Sequence, residues 1–256
     1  MIPVDDPTSL SRLFHANSEP WLDERAYRGS PYHQEFTSYP DAEREPLPVP
    51  PDGIVATLAA GRQSTRAFAD TPLSRDALAT LLQASYGIVG AAGLPGGGGH
   101  FLRRRVPSAG GLYPLELYPM LRRVDKLPDG IYHFDARGDA LERLRAGDWS
   151  AGASDAFYTW PFIERANAIV CLSASFARMQ SKYGPRGYRY ILLEAGHVAQ
   201  NLCLAAGEIG LGTLCMGGFR DARLNALLGL EPEEQGVVYA VAVGNPAEPA
   251  EAGTTG

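Results

Sequence analysis

GYRYILLEAGHVAQNLCLAAGEIG, residues 187–210, is the stretch on which the fold turns. Tyr188, Ile191, Leu192, Ala195, Ala199, Leu202, Ala206 and Ile209 recur at helical spacing, and that period predicts a long amphipathic helix. Many of its residues are Ala or Gly, which lets another helix approach closely, as in a subunit core.

Working outward, NAIVCLSASF (167–176) reads as a fully buried strand. LELYPMLRRV (115–124) and GIYHFD (130–135) read as strands, and Pro119 suits an edge or a bulge in the first. LGTLCMGG (211–218) and GVVYAVAVG (236–244) are further strands, with the short helix ARLNALLG (222–229) between them. IVATLAAGR (54–62) has a helical period, and Ser74 is a good N-cap for RDALATLLQASYG, with Leu78, Leu81, Leu82 and Tyr86 on one face. AAGLPGGGGHFLRRR (91–105) reads as a flexible lid or linker, because four consecutive glycines hold no regular element cheaply. Helices followed by mixed strands predict an α+β layer rather than βαβ alternation.

The chain of 256 residues is 45% hydrophobic and 20% charged with a net charge of −6. That balance excludes a fibre or a mainly disordered chain and argues against broad nucleic-acid or anionic-membrane binding. No apolar run reaches the length of a membrane span and MIPVDDPTSL is not a signal peptide, so a cytoplasmic location is the default. Residues 1–50 carry eight prolines interleaved with Phe14, Trp21, Tyr27, Tyr32, Phe36 and Tyr39. This predicts an extended arm lying over the globular body or over a second subunit. Residues 51–246 then form the folded domain and 247–256 a fraying tail. Cys171, Cys203 and Cys215 lack paired ligand spacing and read as buried small hydrophobes, with no metal site.

Four segments are candidates for chemistry. Arg62, Ser64 and Arg66 in RQSTRAF (62–68) offer forked cations and a hydroxyl to an anion, or form an ordinary solvated helix end. Ser108, Ala109 and Gly110 in VPSAGGLYP (106–114) form a small-residue turn that lets backbone N–H groups approach a ligand, or a plain turn. The preceding tetraglycine is no phosphate loop, because no Gly-Lys-Ser/Thr follows it. SKYGPRGYRY (181–190) gathers three cations and three phenols. Like-charge repulsion from Arg186 and Arg189, with partial burial, would prepare Lys182 as a base, and Tyr183 would share the proton; the alternative is a basic helix end. Met216, Gly217 and Gly218 end a buried strand in a Gly-Gly that admits a flat ligand, or make a tight corner. Glu194 and His197 have di-iron spacing in a single copy, which points to an ordinary helix histidine. Ser108 lacks a nucleophile elbow.

Taken together, RQSTRAF (62–68), PSAGGLYP (107–114), KYGPRGYRY (182–190), EAGHVAQNLCLAA (194–206) and GLGTLCMGGF (210–219) resemble the nitroreductase-like flavoprotein superfamily. More narrowly they resemble its SagB-type branch of azoline dehydrogenases, also called thiazole/oxazole oxidases, and the likeness runs over about residues 12–246. The resemblance implies an α+β sandwich with a mixed, mainly antiparallel sheet between helices, and a homodimer binding FMN at the subunit interface. It implies that Arg62, Ser64 and Arg66 hold the FMN phosphate and ribityl chain. Ser108, Ala109 and Gly110 would reach the flavin from the partner subunit, and Met216, Gly217 and Gly218 would line its other side. Lys182 and Tyr183 match the branch's proton-abstracting pair. One departure stands out: Gly244-Asn245-Pro246 is followed by AEPAE, without the basic residue that many nitroreductases use to grip phosphate. Arg220 is the available substitute.

The implied reaction is aromatisation of a thiazoline or oxazoline in a peptide or carrier-bound substrate. It proceeds by proton abstraction, hydride transfer to flavin N5 and reoxidation by dioxygen. The alternatives are NAD(P)H-dependent reduction of a nitro group, quinone or alkene on the same site, or a non-catalytic flavin-binding scaffold for cyclodehydratase subunits.

Overall fold

The computed structural model describes residues 13–15, 18, 36–49, 51, 53–93, 98–231 and 235–247. Most of the proline-rich arm (1–50) and of the tail (247–256) lies outside the described residues.

The backbone alternation of the buried strands builds the molecule. In β6 (Ala168–Ser175), Ala168, Val170, Leu172 and Ala174 face one core while Ile169 and Cys171 face another. Successive side chains of a strand point to opposite faces, so a continuously apolar strand must be covered on both sides. β3 (Leu115–Leu121) repeats the pattern: Leu115, Leu117 and Leu121 on one face, Tyr118 and Met120 on the other. With β4 (Gly130–Asp135), β5 (Ala140–Ala146), β7 (Gly212–Met216) and β8 (Gln235–Gly244) they form a six-stranded sheet in the order β5-β4-β3-β6-β8-β7. Its ladders are antiparallel. A parallel bridge between Ser64 and Thr213 extends its β7 edge.

One face is covered by α2 (Arg75–Tyr86) and α6 (Arg186–Glu208), with α5 (Phe176–Tyr183) beside them. Ser74 caps α2 by accepting the Ala77 N–H at 3.1 Å, as its sequence predicts. The opposite face is covered by α3 (Ser150–Ala156), α4 (Trp160–Ile163) and α7 (Asp221–Leu228). α1 (Ile54–Gly61) lies outside these layers and buries none of its residues, leaving Ile54 80% and Val55 70% exposed.

Three expectations need correction and one helix boundary is refined. Residues 91–105 are not a free lid: β1 (Ile88–Gly93) and β2 (His100–Arg104) pair as an antiparallel hairpin, and residues 94–97 between them lie outside the described residues. The long helix begins at Arg186 and is preceded by a separate helix, α5, with the break at Gly184 (φ +54°) and Pro185. Cys171 and Cys203 are buried, but Cys215 is exposed. Pro119 lies in an inner strand. At the two ends of β3, Ser175 N–H donates to Pro114 O and Arg122 N–H to Asn167 O. Even-numbered residues therefore bond β6, and Pro119 turns its missing donor toward β4, which ladders only with Met120 and Leu121.

Of the arm, Phe14 packs edge-on against Tyr188 at 5.5 Å between ring centroids, and His15 meets Phe176 and Tyr188. Residues 36–49 are exposed throughout in the single chain.

Leu202, fully buried where α6 meets the sheet, tests this core. Leu202→Ala should lower stability by roughly 2–5 kcal/mol in urea unfolding.

Candidate active site

The Ser108 turn is held from three sides. A short 3-10 turn (Ala109–Gly111) places Gly110 at φ +63° and Gly111 at φ +67°. Tyr113 follows at φ +45°, a left-handed conformation rare for a tyrosine. Its N–H donates to Ser108 Oγ at 2.9 Å, its carbonyl accepts from Arg178 of α5 at 2.7 Å, and its hydroxyl accepts the Arg104 N–H of β2 at 3.1 Å. These three bonds over-determine the strained backbone.

Lys182 and Tyr183 close on this turn from α5. A Cβ at Gly110 would stand 2.7 Å from both Lys182 Nζ and Tyr183 Oη. The positive φ favours glycine there, and a larger residue would displace the ends of both side chains. Tyr190 meets the Tyr183 ring edge-on at 5.0 Å and fixes its orientation. Lys182 is exposed in the single chain, so the partial burial expected for it is not supplied by its own subunit.

Beneath the turn, α6 carries Glu194, which is 2% exposed. Tyr86 donates to its Oε1 at 2.7 Å and itself accepts the Leu115 N–H at 3.3 Å. Oε2 has no hydrogen-bond partner among the described residues. Burial pushes the carboxyl above its ordinary value of 4.5, against the opposing influence of the Ser108 and Tyr86 hydroxyls and the guanidiniums of Arg104 and Arg178. Sequence reasoning weighed Glu194 only as a metal ligand with His197. The structure buries Glu194 and leaves His197 exposed.

The Arg62 segment sits elsewhere. Thr65 N–H donates to Thr213 O at 2.8 Å, which lays this segment along β7. Arg62 borders a cleft of about 220 Å³ with Thr65, Cys203, Gly207, Gly212 and Thr213. Arg66 lines a different cleft with Pro161, Phe162 and Glu164, and Ser64, like both arginines, is exposed. Met216 is buried in the core behind the sheet, with Thr159 Oγ1 donating to its Sδ at 3.1 Å, so only its backbone is free to meet a ligand. A Cβ at Gly217 or Gly218 would make only ordinary van der Waals contact, with Tyr239 at 4.0 Å and Tyr158 at 3.8 Å. Arg220 stacks on Tyr158 at 4.7 Å and donates to Asp155 O.

The expected site residues thus form two groups on one chain. Ser108, Ala109, Gly110, Lys182 and Tyr183 gather at the Glu194 level of α6. Arg62 and Ser64 gather with Gly212 and Thr213 at the level of Cys203 and Gly207, and Met216, Gly217 and Gly218 lie at the far end of β7, toward Tyr239 and Tyr158. At 1.5 Å per residue those levels are roughly 13–20 Å apart along the helix axis.

This fold and these two groups define an α+β protein built around a central small-residue helix. Residues 59–245 match the Nitroreductase family, and the chain belongs to that family. It is 33% identical to a Methanocaldococcus jannaschii protein named for the nitroreductases, over 65% of this chain and 80% of that one. It is 28% identical to the microcin B17-processing protein McbC of Escherichia coli over 51% of this chain, and spans half the length of that relative. A chain of the E. coli microcin synthetase McbBCD complex, solved with truncated pro-MccB17 bound, shares the fold with a TM-score of 0.73. That match has 22% identity and covers 94% of each chain. A Desulfovibrio desulfuricans nitroreductase-fold structure in complex with FMN gives a TM-score of 0.53 at 18% identity, over 77% of this chain and 89% of that one. Among the described residues no helix is long and apolar enough to cross a membrane.

A carboxyl whose folded pKa lies above its unfolded one retains its proton in the fold when the unfolded chain has released it. Stability then falls as pH rises above about 4.5 toward the folded value. Glu194→Gln mimics the protonated form and keeps the acceptor for Tyr86. Its stability relative to wild type should therefore increase in urea unfolding as pH rises above about 4.5.

Proposed function

We propose that this protein is an FMN-dependent dehydrogenase that aromatises azoline rings in a peptide or carrier-bound substrate in the cytoplasm. The observation that carries this reading is the meeting of Lys182 Nζ and Tyr183 Oη at Gly110, inside the turn expected to approach the flavin. The similarity to McbC supports a peptide substrate and cyclodehydratase partners.

The residues present fit FMN. Gly217 and Gly218 present backbone without a side chain, and Arg62 sits on a cleft without a salt bridge among the described residues. Arg62 and Ser64 would hold the phosphate and ribityl chain, with Arg66 at the outer end, while Ser108, Ala109, Gly110 and Met216–Gly218 would flank the ring. FMN, when bound, supplies a two-electron acceptor that dioxygen regenerates. Lys182 Nζ accepts the ring-carbon proton, and Tyr183 Oη, fixed by Tyr190, steadies the amine and shares that proton. Lys182→Ala should cut turnover of an azoline peptide by about 10²–10⁴-fold while the visible flavin spectrum persists. Full activity in the variant would remove Lys182 from the mechanism. Rapid anaerobic bleaching of the wild type by NADPH would favour the reductase alternative.

The separation of the two groups along α6 supports a homodimer. One chain's Lys182 and Ser108 turn would meet the partner's Arg62 and Gly217. The exposed Ile54 and Val55 of α1, Leu193 of α6, and the 36–49 segment provide apolar surface for that partner. In this arrangement a mixed dimer of Lys182→Ala and Arg62→Ala chains holds one intact site. Co-refolding the two inactive variants should thus restore about a quarter of wild-type activity, as random pairing dictates. A site contained in one chain would give no rescue.

A further inference from the structure

Two thiols meet at the Arg62 cleft. Cys203, on α6, lines it, and Cys215, on β7, stands with its sulfur 3.5 Å from that of Cys203. A pair of cysteines serving only as core hydrophobes would both be enclosed, but Cys215 is exposed. The Cys215 thiol beside it lowers the Cys203 pKa against the effect of burial, with Thr213 and the Arg62 guanidinium adding to the lowering. Cys215 moves the other way, because its own S–H donates to the Cys203 sulfur and it is partly buried. When one of the two ionises, the pair is a thiolate bonded by a thiol at 3.5 Å. This is the state in which the first sulfur is a nucleophile and the second can resolve what it forms. Cys171 offers a contrast within the same chain: it is fully buried in β6, and burial alone pushes its thiol well up.

We propose that Cys203 and Cys215 are a redox-sensitive pair that closes into a disulfide on exposure to a small peroxide, tying β7 to the C-terminal third of α6 at the Arg62 cleft. The Cys203 thiolate attacks one peroxide oxygen. The O–O bond breaks, and the departing hydroxide takes up a proton as water, leaving a sulfenic acid. The Cys215 sulfur then attacks that sulfenic sulfur. The S–O bond breaks, and the oxygen leaves as a second water with the Cys215 proton. Two thiols lose two electrons and one peroxide becomes two waters. The pair stands independently of the reaction proposed above, since its closure needs neither flavin nor azoline.

The test uses the full-length protein, reduced and then freed of reductant. It is treated with hydrogen peroxide, and free thiols are counted under denaturing conditions alongside the intact mass and a non-reduced peptide map. The titre should fall from three thiols to one, the mass should drop by two hydrogens, and a Cys203–Cys215 cross-linked peptide should appear. Dithiothreitol should reverse all three changes. In Cys215→Ser, Cys203 should stop at a sulfenic acid that dimedone traps. A titre that stays at three, oxygen added to either cysteine of the wild type without a cross-link, or a bond joining two chains would each overturn the proposal. The wild-type map decides this alone, whether or not the serine variant folds.

Discussion

A carboxyl group removed from water is a costly thing to bury, and the arrangement around Glu194 follows from containing that cost. Tyr86 reaches it from α2, and the same hydroxyl receives the first backbone N–H of β3. One phenol therefore joins two helices and the sheet. The Ser108 turn packs over this junction, and Tyr113, locked in a left-handed conformation by three hydrogen bonds, carries the junction's rigidity outward to the surface where Lys182 stands.

The other half of the site depends on length rather than on a bond. α6 runs from Arg186 to Glu208, and the cationic segment meets it near the far end. A rigid helix keeps the two groups apart, so they cannot converge by small adjustments within one chain. In the homodimer proposed above, the small residues on its surface and the uncovered apolar side chains of α1 would face the second copy. A central helix of this kind measures distance, and its ends set which groups can share a ligand.

Much of the architecture was legible in the sequence where a single physical pattern dominated. The continuous apolar run of β6, the helical period of 187–210 and the serine before α2 each had one reading, and each is found. The hairpin β1–β2 was missed because its Gly, Ala and Arg residues do not alternate between apolar and polar, and its pairing comes from backbone bonds alone. β5 was missed because, as an outer strand, it keeps most of its side chains in solvent. In the site, the motif types were legible, but their partners were not. Nothing local to Gly110 points to Lys182, more than seventy residues away. Glu194 did leave a signal: it lies among Ile191, Ala195 and Val198 on the buried side of α6, and a charge on an apolar face demands an explanation. Its spacing to His197 suggested a metal, and that pairing obscured the simpler requirement for a hydroxyl partner.

Pro119 has one more consequence. In an antiparallel sheet, sliding a strand by one residue exchanges which residues bond to each neighbour and turns every side chain to the opposite face. Pro119 sits where its missing donor faces the side with the shorter ladder, opposite Val170 in an otherwise continuous pairing with β6. Slipped by one, the proline would bring its ring and its absent N–H into the β6 ladder, in the most buried part of the sheet. The residue thus penalises the off-register alternative far more than it costs the native pairing. It works as a key cut for one lock, fixing the alignment of the two central strands and so the height at which Leu115 meets Tyr86.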